Sequence, residues 1–80
     1  MSFLIDTHAL LWFFAGSEEL SGRARSLILN PQNRINISIA SIWEIGIKVS
    51  LGKLRLGFRM EELKLKLEEN QIDILPIDFD

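Results

Sequence analysis

The chain has 80 residues, a net charge of −2, a pI near 5.3 and no cysteine. That allows at most one domain and excludes disulfides and thiolate metal sites. A hydrophobic content of 48%, with thirteen Leu and eleven Ile, exceeds what one small domain readily hides, a hint of an oligomer or of further chain unless it is only compositional bias.

Residues 2–6 read as a short buried strand, apolar without strict alternation. Asp6 or Thr7 can cap the apolar helix that follows from Ala9, which Gly16-Ser17 ends. A second helix is expected over 21–29, with Ser21 as its cap and Asn30-Pro31 as its stop. Ile35, Ile37 and Ile39 alternate with Asn36 and Ser38, predicting a strand at 34–38. A third helix is expected over 39–51, closed by Gly52. Residues 54–58 form a turn-rich connector.

Residues 60–70 fit two patterns. Leu63, Leu65 and Leu67 alternate as in a strand, whereas Met60, Leu63 and Leu67 form a helical stripe beside a Glu62–Lys66 pair. The Glu/Leu/Lys composition favours helix. Ile72 to Leu75 is the last strand, closed by Pro76. The resulting order, β-α-α-β-α-α-β, predicts an α/β fold with a parallel sheet of about three strands and helices on both faces. The N-terminus lacks a basic leader segment and the apolar run 9–15 is too short to span a bilayer, so a cytoplasmic protein is expected.

Two acids stand in apolar surroundings. Asp6 ends the first strand, and Glu44 lies within Ile42-Trp43-Glu44-Ile45. A carboxylate there is costly to desolvate unless paired, hydrogen-bonded or bound to a cation. If the first two strands are neighbours, both acids project toward the carboxyl edge, where α/β sheets place their ligands. Hard cations such as Mg²⁺ or Mn²⁺ take oxygen ligands of this kind. Each acid also has a structural alternative. Asp6 can be an N-cap alone, and Glu44 can complete a capping box with Ser41. If Ser38 is the cap, which gives the longer helix, Glu44 is past the first turn and free to face a site.

Other residues carry weaker signals. His8, the sole histidine, is either at a site rim or an exposed residue of the helix start. Trp12 and Trp43 are either base-stacking platforms or core residues, and their aliphatic neighbours favour the core. Ser38 and Ser41 can hydrogen-bond a ligand or the acids but have no base to make them nucleophiles. Asp73, Asp78 and Asp80 lie in or after the last strand. From Ile45 to Met60 there are four basic residues, Lys48, Lys53, Arg55 and Arg59, and no acid. Such a strip either steers phosphates or is a solvated face. No phosphate loop, zinc motif or dinucleotide fingerprint is present.

The opening Phe3-Leu4-Ile5-Asp6-Thr7-His8-Ala9-Leu10-Leu11-Trp12, with Ile39 to Ile45 and Lys48 to Leu54 downstream, resembles PIN-domain proteins, specifically VapC-type toxins. The resemblance runs over nearly the whole chain. It implies a parallel three-layer α/β fold and a Mg²⁺- or Mn²⁺-dependent endoribonuclease. The metal-binding and catalytic acids would fall on Asp6 and Glu44; apart from the resemblance, Thr7, His8, Ser38 and Lys48 are candidates for the substrate rim. It also implies an antitoxin partner, an RNA substrate and a dimer. PIN domains are longer, and their later acids lie beyond residue 80, so residues 1–80 are expected to be a partial PIN-like domain with half of the acidic site and a weakly held or absent metal. The first strand is then expected to be an open apolar edge, covered by a second copy or a partner.

Overall fold

The computed structural model describes residues 1–76. Three strands, β1 (Ser2–Ile5), β2 (Arg34–Ser38) and β3 (Ile72–Leu75), form one sheet in the order β1-β2-β3. Both strand pairs are parallel. Helices α1 (Thr7–Ala15) and α2 (Gly22–Leu29) join the first two strands, and α3 (Ile39–Ser50) and α4 (Leu63–Glu69) join the last two. A 3₁₀ turn, Met60–Glu62, precedes α4.

Local chemistry sets the boundaries. β1 stops at Ile5, one residue short of the expected end, because Asp6 turns out of the strand and caps α1. Its Oδ1 accepts the Ala9 N–H at 2.7 Å. The helix therefore begins at Thr7 rather than Ala9 and ends at Gly16, whose φ of 64° suits glycine. Ser21 caps α2 by accepting the Ala24 N–H at 3.1 Å. Arg25, in α2, donates to the carbonyls of Phe13 and Ser17 at 3.4 and 3.3 Å and lies over the Phe13 ring. It thus holds the two helices together at the end of α1, where free carbonyls need donors. The expected helix over 60–70 is confirmed, with its first turn tightened to 3₁₀.

The register places Phe3, Ile35 and Ile72 side by side, and Ile5, Ile37 and Ile74 in the next row. Side chains alternate along a strand, so these rows share one face. On that face Ile35, Ile37 and Ile72 are buried in a single core with Leu10 and Phe13 of α1, Ile28 of α2, Ile45 of α3, and Leu63 and Leu67 of α4. All four helices therefore pack on one side. The reason is topological. Two crossovers of the same hand, each advancing one strand in the same direction, lay their helices on the same face.

The parallel α/β sheet flanked by helices is as expected, and of the three layers foreseen the described residues contain two. The opposite face carries Leu4, Asn36 and Asp73 in one row. Leu4 is 65% exposed there. Asn36 is the exception, buried because it donates to Ser2 Oγ and the Phe3 carbonyl at 3.0 and 3.2 Å. No helix of the described residues is long and apolar enough to cross a membrane.

Candidate functional site

The carboxyl edge of the sheet is built by the row Ile5, Ile37 and Ile74. Asp6 and Ser38 follow Ile5 and Ile37 directly, so they are lateral neighbours at that edge. Each caps a helix. Ser38 Oγ accepts the Ala40 N–H at 3.1 Å at the start of α3. Ser38 is thus the cap, the choice that gives the longer helix, and the alternative box between Ser41 and Glu44 is not formed.

Asp6 is exposed, and among the described residues only Oδ1 has a hydrogen-bond partner. The cap fixes the carboxylate's orientation through one oxygen alone. Thr7 is buried under the start of α1. His8 is exposed in the first turn, as expected, with its ring 5.8 Å from that of Trp12 and tilted by 40°.

Glu44 lies six residues past Ser38, about 9 Å of helical rise along α3. Its neighbour Ile45 is fully buried, whereas Glu44 itself faces outward and pairs with Lys48 at 3.7 Å. Their side chains are 47% and 45% exposed, so the pair contributes about 0.3–0.5 kcal/mol. The structure therefore brings Asp6, Thr7, His8 and Ser38 to the sheet edge, and sets Glu44 with Lys48 further along a helix that packs against α1. Asp6 and Glu44 share no hydrogen-bonding partner among the described residues. No group of three or more His, Cys, Asp or Glu side chains comes together there either. Asp73 is exposed on the open sheet face, and Asp78 and Asp80 fall outside the described residues.

One expectation changes, and one is refined. Trp43 is not core but 56% exposed, and with Ile47 at 59% and Leu51 at 62% it forms an apolar stripe at helical spacing beside Glu44. The basic strip is divided. Lys48 is paired with Glu44 and Arg59 with Glu61, while Lys53 and Arg55 are exposed without an ion pair among the described residues.

Sequence reasoning also missed a cleft of about 300 Å³ between α1 and the connector, lined by His8, Trp12, Phe14, Arg55 and Phe58 among others. The available signal was the alternation of Leu54, Leu56 and Phe58 with Lys53, Arg55 and Gly57. It lays an apolar edge of the connector against α1 and leaves Arg55 outward.

The sequence matches the family model of the PIN domain over residues 3–80, and the chain belongs to that family. PIN domains are in general nuclease-like. Comparison with curated proteins and with solved structures gives no match.

Proposed function

We propose that this chain is a VapC-like PIN module directed at RNA, with Asp6 and Glu44 as the acids of its site. The observation that supports this best is Asp6 itself, an exposed carboxylate pinned by the Ala9 N–H at the carboxyl edge of a parallel sheet, with no hydrogen-bond partner on its second oxygen among the described residues. That is where ligands of such sheets bind. Glu44 is free of any capping duty, so its conversion from the Lys48 pair to a cation ligand costs little.

The oxygen donors of Asp6 and Glu44 fit Mg²⁺ or Mn²⁺ in kind, since these ions accept one or two carboxylates together with water and substrate phosphate. Two acids give only weak affinity. A bound ion would polarise the phosphodiester and lower the pKa of an attacking water. The protein's own contribution is positional. The cap holds Asp6 oriented before any ligand arrives, and Lys48, once released by Glu44, supplies a positive charge to a phosphate. In this reading a second chain supplies the further acids that hold the ion.

The test is cleavage of single-stranded and structured RNA with Mn²⁺ or Mg²⁺. Asp6→Asn and Glu44→Gln are expected to abolish both cleavage and Mn²⁺ binding. Persistence of both in either variant would overturn the assignment of these acids.

A second reading is favoured by the exposed Trp43–Ile47–Leu51 stripe. In it the chain is a non-catalytic PIN remnant that dimerises or binds an antitoxin. Co-purification with a small neighbouring gene product, without cleavage at millimolar Mn²⁺, would select this reading. In both readings the free edge of β1 is the expected place for a second copy. Its residues Ser2 to Ile5 carry no charge and no proline, whereas β3 carries Asp73 and is followed by Pro76, features that discourage pairing at an edge.

A further inference from the structure

We propose that the cleft between α1 and the 51–59 connector binds one unpaired nucleobase of an RNA strand, with Arg55 taking the adjoining phosphate. This rests on the nuclease reading and extends it from the acids to the way the strand is gripped.

A nucleotide needs two things from a protein surface, an aromatic or flat face for the base and a positive charge for the phosphate. The cleft supplies both. Trp12, Phe14 and Phe58 are partly buried on its walls. Phe14 meets Phe58 edge to face at 5.7 Å and 89°, so the two rings hold each other in place. His8 adds a further ring at the mouth, against Trp12. The volume, about 300 Å³, is at the small end of the range for ligand pockets. Arg55 lines the same cleft, exposed and without an ion pair among the described residues.

The other clefts lack this combination. The one between Phe13, Phe14, Arg25 and Lys66 also has aromatic rings and cations. Its Arg25, however, is spent on the Phe13 and Ser17 carbonyls, and its Lys66 lies over the Phe58 ring. The cleft at Ile28, Asn30 and Gln71 has no aromatic ring. The surface at Trp43 and Ile47 has no cation.

Position adds a further reason. His8 is two residues past Asp6, in the same first turn of α1. The cleft thus reaches the first turn of α1, the turn that Asp6 caps. A base inside a duplex presents no free face, so the ligand is single-stranded.

The experiment uses the full chain carrying Trp43→Phe, which leaves Trp12 as the sole tryptophan. Fluorescein-labelled single-stranded RNA octamers of mixed sequence are added in EDTA, so that neither metal nor cleavage contributes. Anisotropy reports binding, and in a parallel titration with unlabelled octamer Trp12 emission reports contact with a base. The expected result is saturable quenching of Trp12 that tracks the anisotropy, with little quenching by the same sequence as a duplex. Arg55→Ala should weaken binding about three- to ten-fold and reduce the salt slope by about one. Phe58→Leu should weaken it about ten-fold, the loss of one stacked base.

Binding without Trp12 quenching, or binding unmoved by Arg55→Ala, would overturn the cleft and leave the nuclease reading standing. Absence of binding with Mn²⁺-dependent cleavage retained would do the same. Absence of both would remove the nuclease reading with it. Equal quenching by free uridine monophosphate at the same concentration would overturn the strand as ligand in favour of a mononucleotide.

Discussion

The two faces of the sheet differ sharply although both come from the same three strands. On the helix side Ile35, Ile37 and Ile72 are at most 3% exposed. On the other side Leu4 is 65% and Leu75 42% exposed. Residue type does not explain this, since Leu4 is as apolar as its neighbours Phe3 and Ile5. Connection order does. A sheet that grows β1-β2-β3 by crossovers of one hand covers one face only. Covering the second face and the free edge of β1 would take chain that crosses to the other side of β1, or another molecule. The comparison also separates what stabilises the domain from what is available to a partner.

The strongest way to break it is to cut the covered face. Ile37→Ala removes a fully buried side chain from the central strand and is expected to cost about 2–5 kcal/mol. For a domain of this size that approaches the whole margin. Urea denaturation followed by circular dichroism should show a large fall in the midpoint or no cooperative transition. The matched change on the open face, Leu4→Lys, should leave the monomer within about 0.5 kcal/mol of the parent. If a second copy pairs at β1, Leu4→Lys should instead shift the mass in light scattering from dimer to monomer. A comparable loss of stability in both variants would mean that the open face is packed.

How much of this was legible beforehand depended on how local its cause was. The strand of alternating isoleucines, the caps at Ser21 and Ser38 and the αL glycines at 16 and 52 follow from neighbouring residues, and they appear where the sequence puts them. The start of α1 was misplaced by two residues because Asp6 could end a strand or cap a helix, and only the fold decides. Trp43 reads as core in the sequence because Ile39, Ala40 and Ile42 precede it and Ile45 and Ile47 follow close by. On a helix, direction depends on spacing, and Ile42, Ile45 and Val49 take the inward positions. The aromatic cleft was not legible, since it requires knowing that the connector folds back onto α1. The acids were legible as types in unusual surroundings, and so was the place of Glu44 beyond the first turn of α3, six residues past Ser38.

Asp6 stands at the junction of the two regions, so it distinguishes structural from chemical roles at an intermediate scale. Asp6→Ala deletes the acceptor for the Ala9 N–H and is expected to cost about 1 kcal/mol. Asp6→Asn keeps an acceptor at the cap and should cost only a few tenths of that while removing the negative charge. Thermal melts of the three proteins, run beside Mn²⁺ titrations read by water-proton relaxation, separate the roles. Loss of Mn²⁺ binding in Asp6→Asn with its melting temperature nearly unchanged is the expected pattern. Equal Mn²⁺ affinity in the parent and Asp6→Asn would leave Asp6 as a cap alone.

Glu44→Gln should have the smallest effect on the fold. The pair with Lys48 is exposed on both sides, so its loss should change stability by about 0.3–0.5 kcal/mol. Because helix α3 is anchored through Ile45 on its inner side, the variant keeps its packing, and a change in Mn²⁺ affinity reports the carboxylate rather than the helix. Lys48→Ala supplies the opposing control. It releases Glu44 from its partner and should raise Mn²⁺ affinity if Glu44 is a ligand. If Glu44 serves only to pair with Lys48, both variants lose the same small stability and neither moves Mn²⁺ binding. Opposite shifts in metal affinity from two substitutions with matched effects on folding are therefore the outcome that ties Glu44 to the site rather than to the helix surface.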